Sequence, residues 1–95
     1  MPLYLVERNF AEDLDLGADE VLGIRAVNDD VGVRWVYSFL SADKRKTYCL
    51  YEAPNMETIR EAARRNGIPA DVIIPVSELV PDAIVAAADA EPSAS

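Results

Sequence analysis

Histidine is absent from this sequence. Its absence removes the side chain that most often serves as a general base near neutral pH and that is the commonest protein ligand for transition metals. Cysteine occurs once, at Cys49, so no intrachain disulfide forms and a reducing cytoplasm is the expected compartment. Positive charge is scarce. Nine Lys and Arg face 17 Asp and Glu, for a net charge of −8 and a pI near 4.3; that balance offers no basic surface to track phosphates or to dock on an anionic membrane. Arg60, Arg64 and Arg65 are the one local basic cluster along a helix, and Glu57 and Glu61 lie within helical reach of them, so an ion-paired, solvated face is expected there. Long apolar runs are missing as well. No stretch approaches the ~20 residues of a membrane span, and Glu7, Arg8, Glu12 and Asp13 interrupt the region where a signal peptide would need an apolar core. Neither nucleic acid nor membrane is an expected partner, and the protein is expected to be soluble and cytoplasmic.

What the chain does contain is concentrated between Val33 and Ala53, VRWVYSFLSADKRKTYCLYEA. Val33–Leu40 and Lys46–Glu52 are rich in β-branched and aromatic residues, and Ser41-Ala42-Asp43-Lys44 between them has turn chemistry, which predicts a β-hairpin. Pairing Phe39 with Tyr48, Tyr37 with Leu50 and Trp35 with Glu52 places all six on one sheet face, with Val36, Ser38, Leu40, Thr47, Cys49 and Tyr51 on the other. Neither set is polar enough for an ordinary solvated face.

Around the hairpin the pattern is symmetrical. Leu3–Arg8 reads as a strand, Asn9–Gly17 as an acidic loop, and Ala18, Val21, Leu22, Ala26 and Val27 recur at helical spacing until Asn28-Asp29-Asp30 and Gly32 stop them. After Pro54, Asn55 is a suitable N-cap for a helix whose apolar stripe is Met56, Ile59, Ala62 and Ala63 and whose stop is Asn66-Gly67. Val72–Ser77 is the last strand, and Pro75, lacking an N–H, belongs at a sheet edge. The resulting order predicts an α+β fold, a ferredoxin-like βαββαβ sandwich over residues 1–80. It has a four-stranded antiparallel sheet, the first and third strands central, and two helices on one face. Residues 81–95 are expected to be a tail, a short helix over Pro81–Asp89 and then a frayed end over Ala90–Ser95. An apolar, aromatic face left open by the helices predicts a homodimer through that face, the dimeric α+β barrel arrangement.

The segments PLYLVERNF at Pro2–Phe10, VRWVYSFLSADKRKTYCLYEAP at Val33–Pro54 and IREAARRNGIPAD at Ile59–Asp71 together resemble a small bacterial family. It comprises single-domain ferredoxin-like proteins of formerly unknown function and includes a nickel-binding actinobacterial member. The resemblance implies a dimeric, metal-responsive binding protein and a divalent metal ion, nickel, as its cofactor. With no histidine available, a metal would draw on carboxylates, Cys49 or backbone atoms.

Three sets of residues are candidates for chemistry. Glu7 and Glu52, near the ends of neighbouring central strands, could share a proton or hold a divalent cation together with Cys49; the alternative is that they pair with Arg8, Arg34 or an arginine of a second subunit. Cys49 on a central strand otherwise behaves as a small buried hydrophobe. Trp35, Tyr37, Tyr48 and Tyr51, with Phe39, could line a pocket for a flat organic ligand or pack a dimer interface. The acidic residues Glu12, Asp13, Asp15, Asp19 and Glu20 lack the spacing of a calcium loop and read as solvated. A small homodimeric protein that binds a metal or small ligand is the expected function. The alternatives are a cofactor-free α+β barrel enzyme, of monooxygenase or cyclase type, acting on an aromatic compound, and a purely structural partner protein. A cavity of several hundred cubic ångströms beside Glu7 and Glu52 would favour the enzyme.

Overall fold

Alternation in the first strand sets the two sides of the molecule. Along β1 (Leu3–Asn9), Tyr4, Val6 and Arg8 are buried while Leu3, Leu5 and Glu7 between them are only partly covered. The computed structural model describes residues 1–90. Helix α1 (Ala18–Val31) follows, then β2 (Arg34–Leu40), β3 (Lys46–Glu52), α2 (Met56–Asn66), β4 (Val72–Val76) and α3 (Pro81–Ala90). The four strands form one sheet in the order β2-β3-β1-β4, with every neighbouring pair antiparallel. This is the ferredoxin-like order expected from the sequence. Pro75 lies on the edge strand, opposite Tyr4.

The core lies on the helix side. Tyr4, Val6, Cys49 and Tyr51 of the sheet pack with Val33, with Ala53 just beyond β3, and with Ile59 and Ala62 of α2. Helix α2 follows its sequence signals closely: the Asn55 Oδ1 accepts the Thr58 N–H at 3.0 Å, and Gly67 closes the helix at φ 67°, a left-handed conformation that glycine adopts without strain. Its Arg60–Glu57 and Arg64–Glu61 pairs lie on the solvated face, and Arg65 reaches across to Asp30 of α1.

Helix α1 departs from the expected stripe. Its partly buried residues are Val21, Ile24, Val27 and Val31, with Asn28 buried among them, whereas Ala18, Leu22 and Ala26 are exposed. The helix is rotated so that Ile24 faces inward. The residues Asn28-Asp29-Asp30 continue the helix, and Gly32 at φ 77° ends it.

The hairpin also differs from expectation at one point. Phe39 opposes Tyr48 and Tyr37 opposes Leu50 as expected, but the register slips between Trp35 and Tyr37, so Trp35 opposes Tyr51 and Arg34 opposes Glu52. A β-bulge inserts one residue, and every side chain beyond it changes face. Trp35 therefore lies on the helix side, where its indole N–H donates to the Ser38 Oγ at 2.7 Å.

The opposite face carries no helix. Tyr37, Phe39, Tyr48 and Ile74 on it are exposed, Phe39 to 64%, and Tyr37 and Phe39 pack edge to face with centroids 5.6 Å apart. Leu50 is buried on this side, in a shallow groove that it shares with Leu5, Tyr37 and the Ser77–Val80 segment. Helix α3 extends the expected short helix to Ala90, and its residues from Pro81 to Asp89 are all exposed. The end expected to fray, from Glu91 onward, lies outside the described residues.

Candidate functional site

On the helix side lies a pocket of about 340 Å³. Sheet side chains form its floor: Arg8 from β1, Trp35 and Ser38 from β2, and Thr47, Cys49 and Tyr51 from β3. The loop after β1 supplies one wall through Phe10, Leu14 and Leu16, and Ile24 of α1 and Ile68 supply the rest. That loop is tied to the hairpin turn, because Phe10 N–H donates to the Arg45 carbonyl and Leu14 N–H to the Lys44 carbonyl, each at 2.7 Å. The turn is itself fixed by Ser41, whose Oγ–H donates to Asp43 at 2.6 Å and whose Oγ accepts the Lys46 N–H at 3.0 Å. The Ser41 hydroxyl, and after it the Arg45 N–H, hold the Asp43 carboxyl below the usual carboxylate range.

Several of the polar groups on the floor of this pocket are held by their neighbours. Arg8 is 3% exposed. Its Nη1 donates to the Tyr51 hydroxyl at 3.2 Å, and its guanidinium carbon lies 5.3 Å from the centre of the Tyr51 ring. Burial pushes the Tyr51 phenol up to about 12, against the opposing pull of the Arg8 charge, so Tyr51 stays a neutral donor and acceptor. The Cys49 thiol donates to the Thr47 hydroxyl at 3.5 Å.

The structure separates the residues that the sequence grouped. Of the aromatic set, Trp35 and Tyr51 line the pocket, while Tyr37 and Tyr48 lie on the bare face. Glu7 is on the bare face, ion-paired with Lys46, whose pKa it raises. Glu52 is paired with Arg34 at 3.1 Å. In the β1–β3 register Glu7 opposes Tyr48 and Glu52 opposes Leu3, which puts the two carboxylates four residues apart along the strand, roughly 13 Å. Cys49 is buried on the other side of the sheet. The three residues considered for a metal are thus not brought together, and neither carboxylate borders the pocket. Arg8, weighed only as a partner for those carboxylates, is the polar centre of the pocket. Its parity was the signal, since it continues the Tyr4–Val6 alternation and so belongs to the helix side.

The nickel responsive protein family named for SCO4226 matches residues 4–76, which is all of the sheet but Leu3 and both helices between its strands. The chain belongs to the SCO4226-like family. A crystal structure of SCO4226 from Streptomyces coelicolor A3(2) shares the fold, with a TM-score of 0.63 and 18% sequence identity over 82% of this chain and 99% of that one. No curated protein matches the chain. The family's description raises the question of nickel, and the described residues of this chain do not fit such a centre. Histidine is absent, no three Cys, Asp or Glu side chains converge among the described residues, and Glu7 and Glu52 are already engaged by cations. No helix of the described residues is long and apolar enough to cross a membrane.

Proposed function

We propose that this SCO4226-like protein is a homodimeric binding protein for a small organic ligand, held in the helix-side pocket of each protomer. The observation that carries this reading is the pocket itself: about 340 Å³ of space walled by Phe10, Leu14, Leu16 and Ile24 over a floor of Trp35 and Tyr51. That volume is at the lower end of the ~300–1,000 Å³ typical of small-molecule sites, and an apolar wall with few fixed polar groups is their usual make-up. The family's description as nickel responsive is compatible with a binding role, while the side chains of a single protomer favour an organic ligand over an ion. The dimer is supported by the bare face. Its apolar middle of Tyr37, Phe39, Leu50 and Ile74 is flanked by the Lys46–Glu7 pair at one end and the Arg34–Glu52 pair at the other. A second copy turned about a two-fold axis would set apolar middle on apolar middle and bring each ion pair against the partner's opposite end.

Trp35 is the only tryptophan, so its emission reports on the pocket directly. Titration with benzamide, phenylacetamide, benzoate and phenylacetate is expected to change that emission saturably with at least one of the four. Ile24→Phe, which fills the pocket from the α1 side, is expected to abolish the change while the helix and sheet signals in circular dichroism persist. No saturable response to any of the four, in a protein shown to be folded, would overturn the binding role.

A further inference from the structure

We infer that the pocket is built for an organic carboxylate, with Arg8 as the residue that receives it. This rests on the reading of the pocket as a ligand site and adds the chemical class of the ligand. A guanidinium taken out of water needs an anion or a full set of acceptors, because its charge is otherwise left without compensation. Arg8 is 97% buried by its 3% exposure, yet no Asp or Glu oxygen among the described residues lies within 4.0 Å of it, and its buried Nε has no acceptor at all. Its one neighbour on the Nη1 side is the neutral Tyr51 hydroxyl. The six basic residues that are in ion pairs, Arg34, Arg45, Lys46, Arg60, Arg64 and Arg65, are all far more solvated than Arg8.

The charge balance of the lining agrees with this. The chain as a whole carries −8, but the pocket is bordered by Arg8 and Lys44 against a single carboxylate, that of the exposed Asp15. The planar guanidinium suits a carboxylate held by two parallel N–H donors. The Thr47 hydroxyl, whose oxygen accepts from Cys49, keeps its own proton to donate. The remainder of the ligand would lie against Trp35 and the aliphatic wall, so the class is a small aromatic or branched aliphatic monocarboxylate.

The test compares pairs that differ only at the acid: benzoate with benzamide, and phenylacetate with phenylacetamide. Affinities are read by Trp35 emission and by calorimetry at pH 7. In the intact protein each carboxylate is expected to bind at least tenfold more tightly than its amide. Arg8→Met is expected to erase that preference and to leave the unliganded protein melting at the same temperature or higher, because the substitution removes an uncompensated charge at nearly constant volume. Arg8→Lys is expected to keep part of the preference. Equal binding of acid and amide by the intact protein would overturn the carboxylate assignment and leave the pocket reading standing; so would Arg8→Met lowering the unliganded melting temperature while the acid preference survives. Binding of neither member would remove the pocket reading itself.

Discussion

Tyr51 illustrates how one side chain can join core and site. It is 4% exposed, packs in the core, and its hydroxyl is the one side-chain hydrogen-bond partner of the Arg8 guanidinium among the described residues. Burial raises its pKa from 10.0 to about 12, which means that the fold favours the neutral phenol. That contribution is complete below pH 10 and is lost as the pH rises from 10 through 12. A shift of this size corresponds to about 3 kcal/mol at most. The difference in urea midpoint between the natural protein and Tyr51→Phe is therefore expected to shrink or reverse between pH 9 and pH 11.5, and the tyrosinate absorbance titration of Tyr51→Phe to lack the step nearest 12. At pH 7 the same variant is expected to lose about 1 kcal/mol, the usual net worth of one buried hydrogen bond. At this scale the sequence was partly legible. The burial of Cys49 and the ion pairs of Arg60 and Arg64 follow from position and helical spacing, and the structure has them. The role of Arg8 was obscured because a charged residue beside Glu7 invites pairing between neighbours in sequence, although neighbours on a strand point to opposite faces.

The two long helices differ in how tightly they are held, and the difference makes a test at the level of elements. Helix α2 is anchored by Ile59 at 1% exposure and by the Asn55 cap, whereas α1 buries only Asn28 fully and leaves Leu22 60% exposed. Ile59→Ala is expected to cost roughly 2–5 kcal/mol and Asn55→Ala about 1 kcal/mol, while Leu22→Ala is expected to fall within about 0.5 kcal/mol of zero; chemical denaturation of the three variants checks the ranking. Element order, strand centrality and the caps of α2 were legible because each has a local signature: alternation, a Pro at an edge, Asn or Gly at a helix end. Two features were not. The inward face of α1 was hidden because apolar residues lie on more than one side of it and Gly23 interrupts the run. The bulge between Trp35 and Tyr37 was hidden because RWVYSFL has apolar or aromatic side chains on both faces, so alternation carries no information about an inserted residue. That single insertion is what moves Trp35 from the bare face to the pocket, and with it the reading of where a ligand would sit.

For the whole molecule, the decisive question is what happens to the side of the sheet that the helices do not cover. Phe39 at 64% and Tyr37 at 49% exposure, on the edge strand β2, are the most exposed aromatic side chains of that face, and the proposed dimer would cover them. Light scattering of the full chain is expected to give close to twice its 10.4 kDa mass, and Phe39→Glu, which places a charge where two copies would meet, is expected to return the single-chain mass without unfolding the protein. The C-terminal helix supplies the control. Residues 81–89 of α3 are all exposed, including Ile84 at 55% and Val85 at 60%, and none of them belongs to the core beneath β1 and β3. The family match, too, ends at residue 76, before this helix begins. A chain ending at Val80 is therefore expected to melt within about 4 °C of the full chain, the span of less than 1 kcal/mol in a domain this size. If the shortened chain keeps the doubled mass, the sheet face alone holds the dimer. If it keeps its melting temperature but returns to a single chain, the apolar side of α3 is part of the contact, and the interface extends beyond the sheet onto the helix that follows it.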